Sequence, residues 1–200
     1  MKPRLLLASG SPRRADVLRQ LGFEPEVRPA DVDESYLPGE TPIQHVERLA
    51  RTKVEAVARD EEEALVVGGD TIVLDGDRVL AKPADALDAV GMLEGLSGGT
   101  HEVLSGLALA GPHGTVSSVT CARVKMRAFD GDMASAYVLT GEPLDKAGAY
   151  GIQGRGAALV EAIDGDYYAI VGFPVGSFLD LLERAGWRFG FGTLTPISIE

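Results

Sequence analysis

The sequence predicts an α/β or α+β chain built on a mixed sheet, and three observations predict it. Short apolar runs that read as buried strands alternate with segments whose apolar residues recur every three to four positions. Hairpin-type turn signals, Asp75-Gly76-Asp77, Gly111-Pro112-His113-Gly114 and Asp164-Gly165, fall between strand-like runs, which a pure βαβ array would not show. The 200 residues, 45% hydrophobic and 24% charged, suffice to bury a core as one large domain or as two small lobes sharing one.

In chain order, Arg4 to Ala8 reads as a short buried strand ending in the turn Ser9-Gly10-Ser11. Ser11 suits an N-cap and Pro12 a first helical position, so a helix runs through Val17, Leu18 and Leu21 to Gly22. Glu24 to Arg28 is a second strand, and Asp31 to Gly39 an acidic loop. Thr41-Pro42-Ile43-Gln44 is a capping box opening a helix with Ile43, Val46, Leu49, Ala50 and Val57 on one face. Ala64 to Val67 reads as a buried strand ending in Gly68-Gly69-Asp70. Thr71 to Leu74 and Arg78 to Leu80 form a hairpin. Asp85 caps a helix through Leu96. Two longer strands follow, His101 to Leu109 and Val116 to Met126, and Asp130 caps a helix ending near Gly141. Glu142 to Gly156 is loop-rich. Val160 to Ile163 and Tyr167 to Val171 read as a hairpin, and Pro174 opens a last helix ended by Gly186. The tail after Trp187 shows no pattern and is expected to be mobile.

The composition excludes several function classes. A single cysteine, Cys121, rules out an intrachain disulfide and a Cys-based zinc site, and suits a reducing compartment. Lying inside a strand-like segment, it is expected to be packed rather than catalytic. Lys plus Arg number 19 against 30 Asp plus Glu, a formal charge of −11. That charge argues against a nucleic-acid polymer or an anionic membrane as partner, but not against a small anion held by local cations. The apolar runs are far too short to span a membrane. Lys2, Arg4 and the apolar residues after them resemble the start of a signal peptide, but Ser11-Pro12-Arg13-Arg14 breaks the stretch, so a cytoplasmic protein is expected. His45, His101 and His113 show neither metal-ligand spacing nor a nucleophile partner.

Three segments carry possible chemistry, each with a plainer alternative. Ala8-Ser9-Gly10-Ser11-Pro12-Arg13-Arg14 joins a strand to a helix start through small residues, a place where free N–H groups and a bidentate Arg favour phosphate. The alternative is a well-capped helix with solvated arginines. Gly68-Gly69-Asp70-Thr71 sets a carboxylate at the end of a buried strand, where glycines would let a ligand or metal approach; the alternative is a turn. Asp33-Glu34 offers a second acidic position, and two carboxylates brought together would suit Mg²⁺, though for that pair taken alone a solvated acidic loop is the better account. Asp145 to Gly154 runs into a stretch with four glycines from Gly148 to Gly156, an entropic cost that implies a demanding backbone shape. Gln153 there offers an amide for a base edge, or simply belongs to a structural loop.

Taken in order, these segments resemble the Maf family of nucleoside triphosphate pyrophosphatases. The resemblance rests on Leu7 to Arg14, Arg48-Leu49-Ala50-Arg51-Thr52-Lys53, Gly69-Asp70-Thr71, Lys82-Pro83, Leu96-Ser97-Gly98 with Thr100-His101, Glu142 to Gly154, Gly165-Asp166-Tyr167 and Val171-Gly172-Phe173-Pro174. Each motif is weak alone, and the ordered set is specific. It implies one domain over residues 1–200 with an elongated mixed sheet, flanking helices and two lobes around a cleft, similar to the inosine-triphosphate pyrophosphatases. It implies hydrolysis between the α- and β-phosphates.

By motif position, Asp70 is the implied proton acceptor, Glu34 a metal-binding or water-positioning acid, and Arg13, Lys53 and Lys82 the substrate cations. Ser9 falls in the phosphate-contacting turn. The implied cofactor is Mg²⁺ or Mn²⁺, held by Glu34 and Asp70, with Asp70 drawing a proton from a metal-bound water. Arg13, Thr71 and Gln153 match the subgroup acting on dTTP and UTP, while Gly69 stands where Ala is usual. The implied partner is a nucleoside triphosphate, with a homodimer also suggested. The alternative from another class is a nucleotide-binding regulator of cell division with little turnover. Retention of Asp70, Glu34, Lys53 and Lys82 counts against it.

Overall fold

A computed structural model describes residues 3–61 and 63–197. Lys2, used in the signal-peptide comparison, and the last three residues of the tail lie outside the described residues. The strands are β1 (Leu5–Leu7), β2 (Glu26–Val27), β3 (Leu65–Asp75), β4 (Arg78–Leu80), β5 (Thr100–Gly111), β6 (Gly114–Met126), β7 (Val160–Asp164), β8 (Trp187–Phe189) and β9 (Leu194–Pro196). The α-helices are α1 (Pro12–Gln20), α2 (Pro42–Ala58), α3 (Ala86–Leu96), α4 (Gly131–Val138), α5 (Tyr167–Val171) and α6 (Val175–Arg184). Among the described residues one seven-stranded sheet has the order β2-β1-β3-β5-β6-β7, with β4 paired to β3. It is mixed: β1 pairs parallel with β2 and β3, whereas β3–β4 and β6–β7 are antiparallel. The chain divides into two compact units, residues 1–70, 105–120 and 172–200, and residues 71–104 and 121–171.

In the first unit, α2 follows from its sequence. Thr41 and Gln44 exchange both bonds of the capping box, and Pro42 sits at the first helical position. Its face of Ala50 and Val54 packs on Leu6, Ala8 and Val66 of the parallel strands. A Cβ at Gly68 would lie 2.9 Å from a Val54 methyl, and one at Gly69 would lie 2.7 Å from the Gly106 carbonyl oxygen of β5. These glycines therefore serve the close approach of a helix and a neighbouring strand, not the approach of a ligand. They form no turn: β3 runs through them for eleven residues, so Asp70 stands within a strand, not after one. At the C-terminus, Phe178 of α6 meets Phe23 edge-on and Phe173 at a tilt. The tail pairs as the β8–β9 hairpin, contrary to the expected mobility, with Phe189 against Phe23.

In the second unit, Leu93 and Leu96 of α3 and Tyr137 of α4 share a buried cluster with Val124 and Met126 of β6. Asp85 and Asp130 cap their helices as expected, accepting from the Asp88 and Met133 backbone N–H groups. The hairpin expected at Asp164-Gly165 does not form. Asp166 accepts the Tyr168 N–H, and Tyr167–Val171 turns into the short α5, while β7 pairs with β6. Local side-chain capping overrides the β propensity of that apolar run. Cys121 lies on β6 as expected but is exposed rather than packed. No helix among the described residues is long and apolar enough to cross a membrane.

Candidate active site

Five of the residues singled out in the sequence belong to the first unit, and three of them touch. Glu34 Oε1 and Asp70 Oδ1 lie 2.6 and 2.8 Å from the Lys53 ammonium. Lys53 occupies the buried stripe of α2, seven residues after Val46 and three after Ala50. Ile43, counted in that stripe from the sequence, is 55% exposed, and Lys53 takes part in the stripe instead. Burying an ammonium is costly unless it is paired, and two carboxylates pair it. Two of its three N–H donors are thus spent on protein carboxylates.

A second set of contacts pins the loop that carries Glu34. Glu40, half-buried with its side chain only 7% exposed, receives Arg48 Nε at 2.6 Å and His45 Nδ1 at 3.0 Å. The hydrogen bond from Arg48, foremost, holds the Glu40 carboxyl well below the usual carboxylate range. Arg48 also donates to the Ser35 carbonyl at 2.9 Å, and Tyr36 stacks on His45 with ring centroids 3.6 Å apart. Asp33 accepts the Ser35 N–H at 2.9 Å, a local turn that leaves Glu34 to reach Lys53. His45 looked uninformative in the sequence. Its signal was the run Glu40, His45, Arg48 astride a capping box.

The turn between β1 and α1 is organised by Arg14. Its Nη1 donates to Ser9 Oγ and its Nε to the Gly172 carbonyl, each at 2.8 Å. Ser9 is buried, and its hydroxyl also receives the Ser11 N–H at 3.2 Å. Ser11 occupies the cap position, yet its own side chain makes no capping bond. Burial lowers the Arg14 pKa, and the charges of Asp70 and Glu34 work against that shift. Arg13, half-buried at the second position of α1, completes the basic end of the turn.

Thr71, Lys82 and Gln153 belong to the second unit. Thr71 is half-buried in β3, Lys82 is exposed after β4, and Gln153 is exposed in the turn at 152–153. The Gly148 N–H donates to the Ala81 carbonyl at 3.1 Å, which ties the segment bearing Lys82 to the glycine-rich loop.

Among the described residues no three His, Cys, Asp or Glu side chains gather as a metal cluster. Glu34 and Asp70 nevertheless converge on one cationic point. That donor set fits a Mg²⁺-type ion, which takes one or two carboxylates and fills its shell with phosphate and water oxygens.

Residues 4–185 match the model of the family described as "Maf-like protein". The "dTTP/UTP pyrophosphatase" of Anaeromyxobacter dehalogenans is 48% identical over 191 residues, covering 94% of this chain and 96% of the relative. The proteins of the same name from Koribacter versatilis and Aquifex aeolicus are 44% and 42% identical, over 91% and 90% of this chain and 94% and 95% of their own lengths. With a match of that extent laid over the site geometry, the chain belongs to the Maf-like protein family.

Proposed function

We propose that this chain is a nucleoside triphosphate pyrophosphatase that hydrolyses dTTP and UTP between the α- and β-phosphates, giving the monophosphate and diphosphate. The carrying observation is the Glu34–Lys53–Asp70 contact, a nearly buried carboxylate oriented by an ammonium and joined by a second carboxylate. The names of the relatives support the substrate class.

Asp70 accepts the proton of the water that attacks the α-phosphorus, and Lys53 holds the accepting carboxylate in place. Ser9 and the first turn of α1 receive phosphate oxygens, since the dipole of a helix favours an anion at its N-terminus. Arg13 and Lys82 stabilise the charge that develops on the departing diphosphate. Glu34 and Asp70 would hold a divalent cation, Mg²⁺ or Mn²⁺, which would supply neutralisation of phosphate charge when bound. Gln153, which offers both a donor and an acceptor, reads the imide edge of uracil or thymine, with Thr71 and Arg13 keeping the nucleoside in register. The reading carries a single catalytic domain over 1–200, at work in the cytoplasm and paired as a homodimer.

Diphosphate release from a panel of dTTP, UTP, CTP, purine triphosphates and 7-methyl-GTP tests it. Preference for dTTP and UTP is expected, and Gln153→Glu, whose carboxylate only accepts, should lose that preference. Binding without turnover across the panel would defeat the enzyme reading. A preference for 7-methyl-GTP would defeat the assignment of substrate.

A further inference from the structure

The glycine-rich loop around Gln153 closes over one carboxylate. Glu142 Oε2 accepts the Arg155 N–H at 2.9 Å, and Oε1 accepts the Gly156 N–H at 3.1 Å and the Tyr137 hydroxyl at 2.9 Å. The same hydroxyl accepts the Gly151 N–H at 3.1 Å. Gln153 is therefore bracketed. Two residues before it the backbone is tied to Tyr137, and two and three residues after it the backbone is tied to Glu142. The two ties are themselves joined by the bond between Tyr137 and Glu142.

The glycines make room for the side chains around this carboxylate. A Cβ at Gly154 would lie 2.5 Å from Glu142 Oε2, and one at Gly156 would lie 2.6 Å from the Tyr137 hydroxyl. At Gly151 it would meet Lys146 Cε at 2.7 Å. Lys146 in turn donates to the Glu142 carbonyl and to Asp145 Oδ1. The entropy spent on three glycines lets a short loop close on Glu142, Tyr137 and Lys146 at contact distance. Such an arrangement fixes backbone shape tightly, and Gln153 is the exposed side chain at its turn.

We infer that Glu142, with Tyr137, is a positioning residue for base specificity: it fixes the turn that presents Gln153, without touching the nucleotide. The inference rests on the proposed reading of Gln153 as the residue that contacts the base. Glu142→Gln tests it sharply. Glutamine has one acceptor oxygen where glutamate has two, so its NH₂ would face the Arg155 N–H, donor against donor. Tyr137→Phe is the second variant. It removes only the hydroxyl that links Gly151 to Glu142.

The readout is the ratio of kcat/KM for dTTP to that for dGTP, with Gln153→Ala alongside and thermal melts for every variant. A merely structural role lowers both efficiencies together and leaves the ratio alone. The expected result is a fall in the ratio of about tenfold, the worth of one hydrogen bond, in Gln153→Ala and in whichever of the other two variants folds. A lowered ratio in Gln153→Ala with an unchanged ratio in Tyr137→Phe or a folded Glu142→Gln overturns the inference alone. An unchanged ratio in Gln153→Ala overturns both the inference and the reading of Gln153 beneath it.

Discussion

Replacing Lys53 by methionine removes the ammonium and keeps most of the length and apolar packing of the stem. The nitrogen makes two ion pairs, and they are not equal. Lys53 and Asp70 are 8% and 9% exposed, so their 2.8 Å contact is sheltered from water. Glu34 has 59% of its side chain in solvent, and screening takes most of its share. A hydrogen bond to a charged group nets about 1.5–3 kcal/mol, while stripping one partner from a fully buried pair costs about 3–5 kcal/mol. Water reaches 13% of the Asp70 side chain and can partly solvate it once Lys53 is gone. A cost of about 2–3 kcal/mol, the upper part of the first range and short of the second, is therefore expected. For a chain of this size that lowers Tm by about 4–12 °C. The kinetic effect should fall on kcat, because a misoriented base fails in the transition state more than in binding. A loss of about 100-fold in kcat with a small change in KM is expected. Diphosphate release at saturating dTTP, below the melting range of the variant, measures it. A folded Lys53→Met protein with unchanged kcat and raised KM would refute the orienting role and leave Lys53 a substrate cation only.

Asp70→Asn keeps an oxygen for the Lys53 bond, so its melt should stay near that of the wild type while kcat falls about 10²–10⁴-fold; near-normal turnover would exclude Asp70 as base. Excess chelator should abolish diphosphate release and added Mg²⁺ or Mn²⁺ restore it, whereas full activity in chelator would remove the cation from the reading. Burial pushes His101 down to about 4 from an ordinary 6.5. The unfolded chain therefore binds a proton that the folded chain refuses, and stability should fall as pH drops from about 6.5 to about 4. His101→Gln, which can keep a bond to the Tyr150 hydroxyl now 2.8 Å away, should flatten that segment in urea titrations. Glu40 works with the opposite group type. Arg48 holds its carboxyl below the ordinary 4.5, so its contribution is present above that value and drains away as pH falls beneath it. Glu40→Gln should lower stability at neutral pH and soften the acid limb of the same titrations.

The helices were legible because their signals are local. Thr41 with Gln44, Asp85, Asp130 and Pro174 each mark a helix start within four residues, and each stands at its expected position. The failures share a different cause. Gly68-Gly69 looked like a strand end, since glycine usually marks a break, but here the backbone is approached by Val54 of α2 and Gly106 of β5. Tertiary packing at separations of 14 and 37 residues decides that conformation, and nothing within the segment announces it. Tyr167–Val171 carried β-type residues, yet a single side chain, Asp166, redirected it into a helix.

The site divides along the same line. Ser9, Arg13, Asp70 and Gln153 stand in motifs that can be read within one segment. Lys53 and Glu142 act through partners reached only after folding, 17 residues away for Asp70 and 14 for Gly156. Lys53 still left a trace, because a lysine at the seventh position after Val46 interrupts the apolar run of Val46, Leu49, Ala50 and Val54. A charge on a buried stripe demands a counter-charge, and the nearest acidic candidates in motifs were Glu34 and Asp70. Glu142 left a fainter one. Three glycines at 151, 154 and 156 are expensive unless something occupies the space their side chains would take. Loop glycines, read as room for neighbours rather than as freedom, point to the Lys146, Glu142 and Tyr137 side chains that fill it.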